Sequence, residues 1–396
     1  MRHIYRSPNA DAASGCLNKP QSLDGRGAEG NAPSEKKDSR CEGIVVGKET
    51  HVHETALLRL AASNFAGKPR LLVGDRCEIG AFSTLAARQR VELENCVSVA
   101  ENVHIEDSVC DDSGLGLSPE DREFIVNESG VHIERGVRLE ENVVVKGAVR
   151  IGRGSLVRAG SVVQQDMPAY CIAEGNPAHV TAAFSPRAGK WLPAAGAKAL
   201  KKLLAEREKT PPLLTVAFIT YNRSKYLKRS LPCVLNQLGN DALAEVLVSD
   251  NASTDDTRAF VEGLQKTYGN LRCHCNEKNI GAEGNIHRAV KASRGEYVLV
   301  AGDDGCFVDG SLHALLTNII RYRGVSLFYL GNEKIPRRVY TGTGCLQYIA
   351  LVSYYMARLT RVVMRRELYA HIPEPHKHDA SCIPQVYLQM EMLKQR

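Results

Sequence analysis

Two successive aspartates, Asp303 and Asp304, close the apolar run EYVLVAG at 296–302. Adjacent carboxylates at the end of a buried strand are hard oxygen donors, suited to Mg²⁺ or Mn²⁺ shared with a diphosphate. Polar clusters recur in the same setting, each after a short apolar or strand-like run: TYNR at 220–223, SDNASTDDT at 249–257 and NEKNIGAEGN at 276–285. Acids and imidazoles gather again in HIPEPHKHDASC at 371–382, which holds His376, His378 and Asp379.

The elements between these clusters must bring them together. LLTVAFIT is β-branched and apolar throughout, the signature of a strand buried on both faces. RSKYLKRSLPCVLNQL then reads as a helix kinked at Pro232. AEVLVSD is a second strand, and TDDTRAFVEGLQKTY a helix expected to be capped by Ser253 or Thr254. LRCHC, AEGNIHRAVKAS, EYVLVAGDD and SLHALLTNIIRY continue the alternation. Strand alternating with helix predicts a doubly wound parallel sheet with right-handed crossovers. Ligands in such sheets bind at the carboxyl ends of the strands, where all these polar clusters fall. Neither GxGxxG after the first strand nor GKS/T is present, which argues against an oxidoreductase-type dinucleotide fold and a P-loop ATPase. Structural readings compete at each position. Asp250, Asn251 and Ser253 can cap a helix, Asn279 and Gly281 can build a loop, Asp303–Asp304 can be a turn, and Asp309 can begin the next helix.

The first half beats differently. Val73, Ile79 and Leu85 recur every sixth residue, then Leu93, Val99 and Ile105 after a two-residue slip, then Ile133, Leu139, Val145, Ile151, Val157 and Val163. Val46 and Val52 open the series, and a second one (Val97, Val103, Val109; Val137, Val143, Val149) follows four residues behind. A period of six fits neither helix nor isolated strand; it fits a parallel β-helix with aliphatic residues stacked inside. Glycines in VGDRCE, IGAFST and IGRGSL suit its corners. This part, closing with IGRGSLVRAGSVVQQDMPAYCIAEGNPAHV, resembles the hexapeptide-repeat acyltransferases over about 43–182. The resemblance implies a left-handed coil, a homotrimer, and acetyl-CoA lying between subunits against Ala159, Gly175, Asn176 and Pro177. It also implies an inserted loop carrying a histidine base. The beat does stop at SVCDDSGLGLSPEDRE, but 106–131 contains no histidine, and Leu115 or Cys110 falls at the histidine's place. His104 and His132 flank the insertion beside inward-pointing residues and are expected to face outward. The scaffold is therefore expected to be kept and its acyl transfer lost.

The second half resembles the family-two glycosyltransferases, inverting nucleotide-sugar transferases of the A-type fold, on TYNR, VSDNASTDDT, NIGAEGN and EYVLVAGDDG in the expected order over about 213–320. The resemblance implies that Thr220, Tyr221 and Asn222 lie along the nucleoside, with Asn279 nearby. It places Asp250 at the base edge, Asp303 at the ribose and Asp304, with Asp303, at the metal. Gly305 stands where many relatives have a third acid. The family's general base lies tens of residues farther on. Among His376, His378, Asp379 and Glu391, Asp379 is the candidate, and about ninety residues after Asp304 leave the acceptor side short.

The 396 residues are 43% hydrophobic and 24% charged, ordinary for a globular chain of two domains. Residues 1–42 are too polar to bury much surface and are expected to be disordered. No apolar run long enough to span a bilayer and no signal peptide is recognised, and twelve cysteines lack any CxxC pair, pointing to reduced thiols in the cytoplasm. Of the net charge of +6, +5 sits in 187–212, a basic linker able to touch a membrane surface at 187–209. No basic, aromatic-laced face suggests nucleic acid. The expected architecture is a β-helix at 43–182, a linker helix within 183–212 and an α/β nucleotide-sugar domain at 213–396. The leading function is sugar transfer from a nucleotide donor to a glycan or lipid-linked acceptor in surface polysaccharide synthesis. The rivals are an acetyltransferase, alone or bifunctional, and a non-catalytic scaffold.

Overall fold

The computed structural model describes residues 3–4, 43–60, 70–110, 124–126, 129–331, 340–381 and 383–395. Leu115 and most of the inserted stretch lie outside them, as does all of 1–42 except His3–Ile4, a short strand antiparallel to Tyr340–Thr341. The chain divides into two compact units, 9–179 and 1–8 with 180–396.

In the first unit the chain visits three sheets of short parallel strands in rotation. Arg70–Val73, Glu78–Ile79 and Thr84–Ala87 occupy one turn, and Arg90–Leu93, Ser98–Val99 and His104–Glu106 pair onto them in the next. This is a parallel β-helix. The hexapeptide residues stack in columns: Val73, Leu93, Ile133 and Ile151 on one side, Ile79, Val99, Leu139 and Val157 on the second, Leu85, Ile105, Val145 and Val163 on the third. All are at most 3% exposed. The two-residue slip after Leu85 is absorbed by the buried Asp107, whose carboxylate accepts from the backbone N–H groups of Arg88, Gln89 and Arg90 at 2.8, 2.7 and 2.6 Å. Three charge-assisted bonds satisfy donors that the extra residues take out of register.

Two expectations about this coil need correction. Val46 and Val109 are 42% and 40% exposed. Val46 lies on the first strand of its sheet, with a neighbour on one side only, and Val109 lies on an antiparallel hairpin, Ser108–Cys110 with Phe124–Val126, that leaves the coil. Of the glycines in VGDRCE, IGAFST and IGRGSL, Gly154 takes a left-handed corner as expected, whereas Gly74, Gly80 and Gly152 do not; the adjoining turn's backbone passes directly over those three. A Cβ on Gly152 would lie 2.3 Å from the Ala169 nitrogen, and one on Gly80 2.5 Å from the Ala100 carbonyl oxygen. Other left-handed corners belong to Arg76, Phe82, Cys96, Asn102 and Asn142. Gly152→Ala is therefore expected to destabilise the coil by roughly 1–3 kcal/mol through overpacking. Urea unfolding followed by the β-sheet circular dichroism signal would show it; an unchanged midpoint would refute the steric argument.

A hairpin, Ala178–Ser185 with Lys190–Pro193, lies in the second unit from Val180 onward and is followed by helix α1, Ala197–Lys209. The basic segment is thus part strand and part helix. The helix is not merely solvated: Arg207 is 5% exposed and donates from Nε and Nη2 to the Phe184 carbonyl at 3.2 and 3.0 Å. Lys198, Lys201, Lys202 and Lys209 remain exposed.

Strands β1 (Leu214–Thr220), β2 (Ala244–Asp250), β3 (Leu271–Cys275), β4 (Tyr297–Gly302), β5 (Leu327–Tyr329) and β6 (Val362–Arg365) form one sheet in the order β3-β2-β1-β4-β6-β5. β1 to β4 are parallel, as the alternation predicts. Beyond the stretch whose alternation predicts parallel strands, β6 runs antiparallel to both β4 and β5. Helices α2 (Ser224–Leu238), α3 (Thr257–Gln265), α4 (Gly281–Ala292) and α5 (Ser311–Arg321) link the parallel strands and follow β4. α6 (Gly344–Val352), α7 (Arg366–Ala370) and α8 (Pro384–Lys394) complete the unit. α4, α6 and α8 bury Ile286, Val290, Tyr348, Leu388 and Met392 with Val298, Val300 and Met364 of the sheet. Among the described residues no helix is long and apolar enough to cross a membrane.

Candidate functional site

The carboxyl ends of β1, β2 and β4 carry Thr220, Asp250 and, one residue beyond β4, Asp303. Parallel pairing puts Thr220 level with Asp250, so these groups share one rim. Thr220 Oγ1 donates to Asp303 Oδ2 at 2.8 Å, while Arg223 Nε meets Asp303 Oδ1 at 3.0 Å and its Nη2 meets Asp304 Oδ2 at 3.3 Å. The Arg223 guanidinium also lies over the Tyr226 ring, 4.4 Å from its centre. Ser230 Oγ of α2 fixes the Asp303 carbonyl at 2.8 Å. Asp303 is buried and Asp304 exposed. Burial pushes the Asp303 carboxyl above its ordinary range, Thr220 and Arg223 oppose that, and the neighbouring charge of Asp304 adds to it.

Asp250 is 2% exposed and accepts from the Ser253 N–H at 3.1 Å and from its hydroxyl. Ser253 Oγ accepts in turn from the Asn222 N–H at 2.8 Å, and Asn222 Oδ1 accepts from the Thr254 N–H at 2.7 Å. Ser253 and Thr254 therefore tie the β1 and β2 loops together rather than capping α3, whose N-cap residue is Asp256. The reason is length: the loop runs two to three residues past the expected cap, to Asp256. Asp255 accepts from the N–H and hydroxyl of Thr257 in that first turn.

Asn251 is the hub of the third loop. Its Nδ2 donates to Asn279 Oδ1 at 2.8 Å and to the Gly281 carbonyl at 3.0 Å, and its Oδ1 accepts from Asn276 Nδ2 at 2.9 Å and the Ile280 N–H at 3.0 Å. Asn279 spends its Oδ1 on Asn251 and the Gly281 N–H, so its loop-building reading holds in this structure. Tyr221 is exposed on the rim. Asp309 precedes Gly310, the N-cap residue of α5.

Asp379 stands in a separate polar cluster. Its Oδ1 lies 2.8 Å from His287 Nε2 and its Oδ2 2.9 Å from His376 Nδ1, while His287 Nδ1 bonds the Tyr369 hydroxyl at 2.5 Å. Desolvation would raise the Asp379 carboxyl, yet the two imidazoles hold it below its ordinary range. Burial drives His287 down, toward the neutral form, against the pull of Asp379. Sequence reasoning did not single out Arg223, His287 or Tyr369. His287 was concealed as one more residue of an amphipathic helix, and Arg223 as the end of a loop motif.

In the first unit, Ala159, Gly175, Asn176 and Pro177 are exposed, and the Ala159 N–H is taken by Glu140 at 3.1 Å. His104 and His132 are each held to a carboxylate, Glu106 at 3.2 Å and Glu94 at 2.9 Å. The Glu94 bond raises His132 toward its protonated form, which is no base. Cys110 ends the strand Ser108–Cys110.

Residues 215–346 match the family model described as glycosyl transferase family 2. The chain is 23% identical to an abequosyltransferase of Salmonella typhimurium over 46% of this chain and 61% of that protein. It is 32% identical to a GalNAc(5)-diNAcBac-PP-undecaprenol β-1,3-glucosyltransferase of Campylobacter jejuni over 26% of this chain and 34% of that one. A tetrahydropyridine-dicarboxylate N-acetyltransferase of Staphylococcus aureus is 44% identical over 13% of this chain and 22% of its own. The chain thus spans less than two thirds of each of these relatives. The β1–β4 rim with its paired aspartates falls within residues 215–346, the stretch that matches the glycosyl transferase family 2 model.

Proposed function

We propose that this chain transfers a sugar, with inversion, from a nucleoside-diphosphate donor to a glycan or lipid-linked acceptor in surface-polysaccharide synthesis. The observation that carries the reading is the carboxylate pair Asp303–Asp304 at the end of β4, gathered with Thr220 and Asp250 on one rim. Asp250, buried and held by Ser253, is suited to a base N–H edge; Thr220, Tyr221 and Asn222 would flank the nucleoside, and Asp303 the ribose. Asn279 would act by shaping the wall of the pocket. The pair fits a hard divalent cation: all its donors are oxygens, Asp304 is open to solvent, and a cationic guanidinium already rests on both carboxylates. Mg²⁺ or Mn²⁺ there would stabilise the departing diphosphate. Asp379, kept ionised by two imidazoles, is the proposed acceptor for the incoming hydroxyl's proton. The Campylobacter relative's undecaprenol-linked substrate supports a lipid-linked acceptor, and exposed lysines of α1 support contact with an anionic membrane surface in the cytoplasm. The β-helix is proposed to assemble the enzyme, as a trimer, rather than to acylate: the imidazoles at its insertion are engaged by carboxylates. The resemblance assigns acetyl-CoA to Ala159, Gly175, Asn176 and Pro177, so acetyl-CoA consumption is the measure of the rival.

The test is metal-dependent hydrolysis of a panel of nucleotide sugars by the purified chain. Release of nucleoside diphosphate from one donor in Mn²⁺ or Mg²⁺, and none in chelator, is expected. Silence and absence of binding across the panel would overturn the reading.

A further inference from the structure

The cluster around Asp379 has the composition of a different kind of site. One ring nitrogen each of His287 and His376 and a carboxylate oxygen of Asp379 all lie within 4.8 Å of one another, and the nitrogens facing the carboxylate are His287 Nε2 and His376 Nδ1. Around a tetrahedral Zn²⁺ with bonds of about 2.0–2.2 Å, donor atoms stand about 3.4 Å apart, so small side-chain movements bring these three onto one centre. The donors come from two elements far apart in sequence. His287 projects from the second turn of α4, and Asp379 and His376 come from the segment between α7 and α8.

Three features distinguish the cluster from a chance gathering of exposed polar groups. His287 is 1% exposed, so an imidazole has been placed where only specific partners justify its burial. Its far nitrogen, Nδ1, meets the buried Tyr369 hydroxyl, the arrangement by which an outer partner fixes the tautomer and ring plane of a metal-bound histidine. His376 is on the open side, its ring centre 4.0 Å from that of His287, which leaves solvent room to complete the coordination.

We propose that His287, His376 and Asp379 form a second cation site, for a borderline ion of the Zn²⁺ class, built from different residues than the paired aspartates. Two nitrogens and one oxygen select against Mg²⁺, which favours all-oxygen sets, and suit Zn²⁺ or Co²⁺ with an open fourth position. The proton accounting closes without loss. In the metal-free form Nε2–H of His287 and Nδ1–H of His376 both donate to Asp379, and the Tyr369 hydroxyl donates to Nδ1. On ligation each ring changes tautomer: the His287 proton moves to Nδ1, which then donates to the Tyr369 oxygen, and the His376 proton moves to Nε2. This inference goes beyond the proposed sugar transfer and does not need it. Where both hold, the ion occupies the carboxylate assigned to proton transfer and inhibits.

The experiment uses the full chain stripped with chelator, then loaded with Co²⁺ or Zn²⁺ and desalted. Wild type is expected to retain one equivalent, with visible ligand-field bands for Co²⁺. Asp304→Asn should retain it equally, which separates the two cation sites and keeps the result independent of sugar transfer. His376→Ala, at an exposed position, should weaken binding at least about tenfold, and Tyr369→Phe about ten- to a hundredfold. His287 is buried, so its replacement tests folding as well; His376 carries the decision. Retention of no ion by wild type, or equal retention by His376→Ala, would overturn the proposal.

Discussion

Asp304→Asn is expected to reduce metal-dependent release of nucleoside diphosphate at least about a hundredfold, a loss of about 2.7 kcal/mol of transition-state stabilisation. The side chain is exposed, so the fold should be unaffected: its one polar contact of note, Arg223 at 3.3 Å, is a solvent-screened pair of little stabilising value. Asparagine keeps the shape and removes one unit of negative charge, and with it the attraction for a hard cation. Unchanged hydrolysis with unchanged melting temperature would dissociate the β4 carboxylates from any diphosphate chemistry. Asp303→Asn is the less clean variant. Asp303 is buried with Thr220 and Arg223 as partners, so loss of activity there would mix chemistry with a disturbed rim.

The second large effect concerns a residue that bears no chemistry. Asn251→Ala is expected to destabilise the second unit by roughly 2–4 kcal/mol, because four hydrogen bonds disappear at a position 3% exposed and their partners are left without replacements. At roughly 2–4 °C per kcal/mol for a unit of this size, the melting temperature should fall by roughly 4–16 °C. Asn251→Asp keeps the acceptor side, toward Asn276 and Ile280, and loses the donor side, toward Asn279 and Gly281; it should fall between alanine and wild type. Differential scanning fluorimetry orders the three proteins. An alanine variant that melts with wild type would show that the 276–281 loop is held by other means. Donor affinity should follow the same order, since this loop walls the rim.

How far these features can be read from residues alone depends on whether a pattern repeats. The β-helix columns are legible because one buried aliphatic residue per hexapeptide is imposed by geometry at every turn. The parallel direction of β1 to β4 is legible because strands that alternate with helices are joined by crossovers. The placing of Asp250 and Thr220 at strand ends, and of Asp303 just past one, is legible because each closes an apolar run. By contrast, Ser253 and Thr254 look like helix caps, and only the closeness of the β1 and β2 loops turns them into cross-links. Arg223, Asn251 and His287 act through partners 25 to 92 residues away, a relation that no local pattern encodes. The antiparallel edge of β5 and β6 was missed because LFY and VVMR are too short to announce strands. Val109 kept the hexapeptide beat, yet the chain had already left the coil.

Arg223 has a consequence for the resting protein. A buried aspartate next to an exposed one is an electrostatic burden wherever no cation neutralises it, and one guanidinium spans both carboxylates. Its side chain is 43% exposed, so its withdrawal is expected to leave the fold intact. Arginine and any incoming cation must then compete for the same oxygens. The free protein is thereby protected against its own charge, and apparent cation affinity reports the difference between two occupants rather than the strength of either. Removing the guanidinium should tighten cation binding while leaving the cation-free chain less stable, an exchange that sets how readily the rim can be emptied between turnovers.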